Sequence, residues 1–295
     1  MDGIINVYKT KGMTSHDVVN KVRRIFNTKQ VGHTGTLDPN AEGVLVVCVN
    51  SATKLVQFLE ADVKKYKAEL IIGISTDTYD ITGNIVEEVK DFKVDKKRLY
   101  EVIDSFKGPQ LQMPPIYSAI KVNGKKLYDY ALKNQEVKIE PRSIEIFDIK
   151  IVSDLIKDAD YYKLEFEVTV SKGTYIRSIC HDIGVNLGIP CTMGNLLRLQ
   201  SGAFKIEDAS TLEEIENGNY QITDMVSAIS SYEKIDLTNN EEVLYKVNNG
   251  MKISLKSFDK KYSNFVAVKG NQLLAVYEYF EEEKYKYYRA VRVWK

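Results

Sequence analysis

Apolar and polar positions change rhythm several times along the 295-residue chain. Val18, Val19, Val22, Ile25 and Phe26 recur at helical spacing, with Lys21, Arg23 and Arg24 on the opposite face. Ser15 stands where a cap for that helix is expected. The unbroken apolar run 44–49 predicts a strand buried on both faces. Ser51 is placed to cap a short helix through Leu55, Val56 and Leu59. Residues 67–74 predict a further strand and 95–106 a helix. Asn123-Gly124, between 116–122 and Lys125, predicts a tight hairpin. Segments 144–151 and 162–170 alternate like half-buried strands. Short β-like runs return at 265–268, 273–277 and 290–294. The mixture predicts an α+β domain on a mixed sheet over residues 1–234, then a small all-β unit over 235–295, rather than a βαβ array.

Composition adds limits. Hydrophobic residues at 44% and charged residues at 28% fit a globular protein and exclude collagen-like, coiled-coil and disordered chains. No apolar run approaches the roughly 18 residues of a membrane helix, and the start has no signal-peptide pattern. No membrane association is expected, and the expected location is cytoplasmic. Cys48, Cys180 and Cys191 are an odd set without CxxC, which argues against a disulfide framework. The Cys180-His181 pair with distant Cys191 lacks the spacing of a metal site, so no metal is expected.

The 41 basic and 41 acidic residues cancel, which at first argues against a polyanionic partner. The cancellation is regional, however. Residues 1–58 hold seven bases and four acids, 205–245 two bases and ten acids, and 246–295 eleven bases and five acids. If folding brings the two basic segments to one face, a neutral chain still offers a positive surface.

Motifs then narrow the chemistry. No GxSxG elbow, GxxxxGK[ST] loop or GxGxxG turn is present, so neither a serine hydrolase nor a nucleotide cofactor is expected. The densest unusual segment is 32–43, GHTGTLDPNAEG, a tightly turned loop that carries His33 and Asp38 just before a buried strand. It reads either as a catalytic loop or as a turn begun by Asp38-Pro39 with a surface histidine. Segment 171–178, SKGTYIRS, would put Tyr175 and Arg177 on one side if extended. Arg177 would then hold Asp38 by a bidentate pair, or form a strand-end salt bridge only. Lys64-Lys65-Tyr66-Lys67 and the Lys/Tyr-rich 114–128 suit a phosphate backbone with a stacked base, or a solvated strand start.

These segments resemble, in order, the motifs of the TruB-type tRNA pseudouridine-55 synthases. The resemblance runs through KTKGMTS (9–15), GHTGTLDPNAEGVL (32–45), KKY (64–66), TDTYDITG (76–83), PPIYSAIKVNGKKLYDYA (114–131), KGTYIRS (172–178) and LLRLQSGAF (196–204). It covers about residues 1–230, and the tail resembles a PUA-like RNA-binding domain. It implies the pseudouridine-synthase fold, a mainly antiparallel mixed sheet flanked by helices. It also implies an isomerase that acts as a monomer, without cofactor, on uridine 55 in the T-arm loop of tRNA.

By the same resemblance Asp38 matches the catalytic aspartate, as nucleophile or base. Attack on the base, attack on the ribose and removal of a ribose proton all stay open. Tyr66 matches the tyrosine that stacks on the flipped base and helps remove its C5 proton. Arg177 matches the arginine that pairs with the aspartate. Tyr175 and Leu196 match residues lining the uracil pocket, His33 the histidine inserted into the T loop, and Lys9 a phosphate or support contact. The chain departs from the family pattern at Thr10, where proline is usual, and at Lys133 and Leu197, where arginines are common.

Overall fold

The apolar run becomes the centre of the molecule. The computed structural model describes residues 2–59, 62–118, 120–133, 135–282 and 285–294. In the strand Ala41–Val49, Val44, Leu45, Val47, Cys48 and Val49 are fully buried because both faces of the strand are covered. Leu45, Val47 and Val49 pack with Ile5, Val7 and the apolar face of the helix Ser15–Ile25. Val44, Val46 and Cys48 face the other way, onto Val266, Val268 and Trp294.

The main sheet has ten strands among the described residues. Its path runs Gly3–Lys9, Ala41–Val49, Cys191–Ser201, Val63–Ile72, Tyr161–Ser171, Arg142–Ile151, Gly108–Gln112. Ala41–Val49 and Cys191–Ser201 are parallel, and the other pairings are antiparallel. This is the mixed, mainly antiparallel sheet expected. Helices Lys96–Asp104 and Ile176–Leu187 cover one face through Leu99, Val102, Ile103, Ile179 and Ile183. A second, five-stranded sheet ends the chain, formed by Lys234–Asp236, Asn264–Lys269, Gln272–Glu282, Tyr285–Val293 and Ile253–Ser254. The helix Glu241–Asn248 lays Val243 and Val247 into its core. The Trp294 indole N–H donates to the Ser51 carbonyl at 3.1 Å, tying this sheet to the first.

Several local expectations shift. Thr14, not Ser15, caps the first helix, in a reciprocal box with Asp17. Ser15 is buried, and its hydroxyl contacts both the N–H (2.9 Å) and the C=O (3.1 Å) of Leu37. The segment after the central strand is a 3₁₀ helix, Asn50–Phe58, without a side-chain cap, so Ser51 does not serve as one. The strand expected at 67–74 is Val63–Ile72, stopped by Gly73 at φ +113°. The Asn123-Gly124 turn forms with φ of +51° and +80°, the two positive values that a type I′ hairpin requires. No helix among the described residues is long and apolar enough to cross a membrane.

Candidate active site

The parallel seam of the sheet positions the site. Leu196 lies opposite Ala41, and Arg198 lies opposite both Gly43 and Tyr66. The loop running into Ala41 is thereby held over the strand that carries Tyr66. A pocket of about 290 Å³ opens there, bordered by Asp38, Tyr66, Ser118, Tyr175, Arg177 and Leu196. Tyr66 and Leu196 are nearly buried and give it apolar walls.

Arg177 Nη2 meets Asp38 Oδ2 at 3.0 Å, with the arginine side chain 9% exposed and the aspartate side chain 45% exposed. The bidentate fork expected from the sequence is replaced by a shared one. Arg177 Nη1 donates to the Thr78 carbonyl at 3.2 Å, and Nη2 also donates to the Tyr117 carbonyl at 3.1 Å. The guanidinium therefore joins three loops and points its remaining charge at an accessible carboxylate. Tyr175 and Arg177 are not on an extended strand. Tyr175 is the extended residue just before the helix Ile176–Leu187, and Arg177 is the second residue of that helix. Burial raises the Tyr175 phenol above its usual range.

The loop under Asp38 is fixed from below. Lys9 is fully buried, and its Nζ donates to the carbonyls of Thr10 (3.1 Å), Pro39 (3.1 Å) and Ala41 (2.6 Å). Burial lowers this amine to about 8. Of the two roles carried by the resemblance, the geometry excludes the phosphate contact, because the three ammonium donors already face carbonyls away from solvent. Arg198, also buried, donates from Nε to the Val44 carbonyl at 2.7 Å and from Nη2 to the Gly35 carbonyl at 2.8 Å. It staples the two ends of the loop.

His33 is not in this pocket. It borders a neighbouring cavity of about 490 Å³ with Lys54, Gln57 and Arg292, and the two cavities share Gly35 and Thr36. Its Nδ1 is buried without a hydrogen-bond partner, and burial lowers its pKa, with Arg198 adding to the effect. The basic segments at the two ends of the chain thus meet beside the loop, through Lys54 and Arg292. The lysines around Tyr66 are less available than their spacing implies. Lys65 pairs with Glu167 at 2.6 Å and Lys67 with Glu165 at 3.3 Å on the adjacent strand. In the 114–131 motif Ala119 lies outside the described residues, and Ser118 lines the pocket.

Sequence reasoning missed Gln112. This nearly buried side chain accepts from the Tyr175 N–H at 2.8 Å and donates to the Tyr175 carbonyl at 3.0 Å. A glutamine at the end of a strand, just before a proline pair, was the available signal. Together these groups form a slot walled by Tyr66 and Leu196, with the Asp38 carboxylate paired to Arg177 and with Lys64 and Arg198 also on its lining. Such a site can hold a flat heterocycle and present a carboxylate to it.

The comparisons agree with that chemistry. Residues 23–176 match the model of the N-terminal domain of the TruB family pseudouridylate synthases, and 177–232 match that of the tRNA pseudouridylate synthase B C-terminal domain. The chain is 43% identical to a tRNA pseudouridine synthase B of Oceanobacillus iheyensis, over 94% of this chain and 93% of that protein. It is 42% identical to the one of Clostridium tetani, over 94% and 92%. Among solved structures, a Cbf5-Nop10-Gar1 complex aligns with TM-score 0.73 and 26% identity over 99% of this chain and 84% of the matched chain. With similarity of this extent along nearly its whole length, the chain belongs to the TruB family of pseudouridylate synthases.

Proposed function

We propose that this protein isomerises uridine 55 in the T-arm loop of tRNA to pseudouridine, with Asp38 as the catalytic carboxylate. The observation that carries the reading is the Arg177–Asp38 contact at 3.0 Å at the mouth of the pocket walled by Tyr66 and Leu196. The tRNA substrate is the one named for the relatives at 40–43% identity. The reaction breaks the C1′–N1 glycosidic bond, forms a C1′–C5 bond, releases the C5 proton and leaves a proton on N1. A uracil stacked in a loop is out of reach of a carboxylate, so the base flips into the pocket, at a cost of a few kcal/mol in lost stacking.

Each residue then has a part. Tyr66 and Leu196 hold the flipped ring, and Tyr66 assists removal of the C5 proton. Arg177 orients Asp38 toward the nucleotide. Tyr175 closes the pocket opposite. His33 enters the T loop where the base has left, and Lys54 and Arg292 meet the RNA backbone in the adjoining cavity. Lys9 and Arg198 keep the Asp38 loop in shape. The test is Asp38→Asn assayed on unmodified tRNA. Pseudouridine formation is abolished while tRNA binding keeps its wild-type affinity. Turnover at the wild-type rate contradicts the assignment of Asp38.

A further inference from the structure

The TDTYDITG segment enters the reading above only through the Thr78 carbonyl, and it contains a residue in an uncommon conformation. Tyr79 has φ +60°, in the left-handed region that side chains other than glycine rarely occupy. Its ring lies flat on His181, with centroids 3.9 Å apart and planes at 9°. His181 is on the helix Ile176–Leu187, one turn beyond Arg177. The Thr78 carbonyl, which accepts from Arg177 Nη1 at 3.2 Å, belongs to the peptide whose plane is set by the φ of Tyr79. The backbone on the far side of Tyr79 is fixed by strand-like contacts. Met193 N–H donates to the Tyr79 carbonyl at 3.1 Å, and Ile81 N–H to the Met193 carbonyl at 2.8 Å. Asn40, two residues after Asp38, donates to the Thr82 hydroxyl at 3.2 Å, so the same segment also touches the Asp38 loop.

We infer that Tyr79 and His181 form a strut that turns the Thr78 carbonyl toward Arg177 and so positions the guanidinium against Asp38. The inference rests on the catalytic assignment of Asp38 and Arg177 proposed above. Both are positioning residues, since neither ring borders the pocket that holds Asp38 and Tyr66. A left-handed tyrosine persists only where its surroundings over-determine it: the Tyr79 N–H donates to the Thr76 carbonyl at 3.2 Å within the turn, and the stacked histidine adds a constraint from the arginine's own helix.

Three single variants, Tyr79→Gly, Tyr79→Phe and His181→Ala, and one double variant test it. Glycine accepts φ +60° without strain, so the fold survives while the ring is lost. Tyr79→Gly and His181→Ala are expected to lower kcat by about tenfold, the scale of a small misplacement in a catalytic site. KM for tRNA should stay within about twofold, because a group acting only on the reacting geometry leaves substrate binding intact. Tyr79→Phe keeps the ring and restores wild-type kcat. The Tyr79→Gly/His181→Ala double variant should be no slower than either single one, because both remove one contact. A Tyr79→Gly enzyme with wild-type kcat, or a Tyr79→Phe enzyme as slow as Tyr79→Gly, overturns the strut. Wild type and Asp38→Asn in the same assay test the parent reading separately. If wild type turns over and Asp38→Asn does not, a normal Tyr79→Gly removes the strut alone. If wild type forms no pseudouridine, both fall.

Discussion

Gly43 lies directly against the backbone of Arg198. A Cβ at Gly43 would sit 2.3 Å from the Arg198 carbonyl oxygen, and Gly43 itself has φ +101°. The two residues are paired across the parallel seam that positions the Asp38 loop. Gly43→Ala is therefore doubly disfavoured, by backbone conformation and by a contact with backbone that has no flexible end. The expected loss is about 3 kcal/mol of stability, measured by denaturant unfolding, together with reduced turnover. A variant as stable as wild type would contradict the close approach.

Lys9 separates a supporting role from an RNA contact. Lys9→Met removes the Nζ donor from the carbonyls of Thr10, Pro39 and Ala41, of which Pro39 keeps the Gly12 N–H at 2.9 Å. The expected cost is about 3 kcal/mol, typical of removing a buried charged donor. The dependence of tRNA affinity on salt should not change, whereas losing a phosphate-contacting lysine lowers the slope by about one. A reduced slope at unchanged stability would return Lys9 to the RNA surface.

Gln112 makes a comparable prediction on the other side of the pocket. Gln112→Leu has similar bulk but leaves the Tyr175 N–H unpaired and its carbonyl with the Ile179 N–H at 3.2 Å alone. Stability should fall by about 2 kcal/mol, and kcat should fall because Tyr175 and Arg177 lose their fixed start of the helix. An unchanged kcat in the folded variant would show that the helix start is held by other contacts.

Asp182 gives a pH signature. Burial raises its carboxyl from its ordinary value of 3.8 to about 6. The folded protein therefore binds more protons than the unfolded chain between those values. Stability contributed by this group is complete below the unfolded pKa and is lost as pH rises through about 6. Asp182→Asn should stabilise the protein at pH 8, by at most about 3 kcal/mol, and should change little near pH 3. Thermal unfolding of both proteins across this range checks the sign. Equal stabilisation at both pH values would contradict it.

Much of the sheet is legible in the sequence, because period-two alternation and the unbroken run at 44–49 record which faces are covered. The Asn123-Gly124 hairpin is legible because few dipeptides accept two positive φ values. The Thr14 cap is less so, since Thr14 and Ser15 are both good caps and only the buried Leu37 contact decides between them. His33 and Asp38 read in the sequence as one loop, yet His33 lies on a strand, Val31–Thr34, paired with the central strand, and Asp38 lies in the turn beyond it, so the two border different cavities. Arg198 and Gln112 escape notice for a related reason. Their work is done on backbone groups distant in sequence, 154 residues apart for Arg198 and Val44. Lys9 misleads because the resemblance leaves it either a phosphate or a support contact, while burial turns it toward carbonyls.

The most direct measurement is nucleotide-resolution mapping of pseudouridine in an unmodified tRNA transcript incubated with the purified protein. The account predicts a single pseudouridine, at position 55 of the T loop, formed by wild type and absent with Asp38→Asn. Pseudouridine at another position, or none at all with folded wild-type protein, would contradict it.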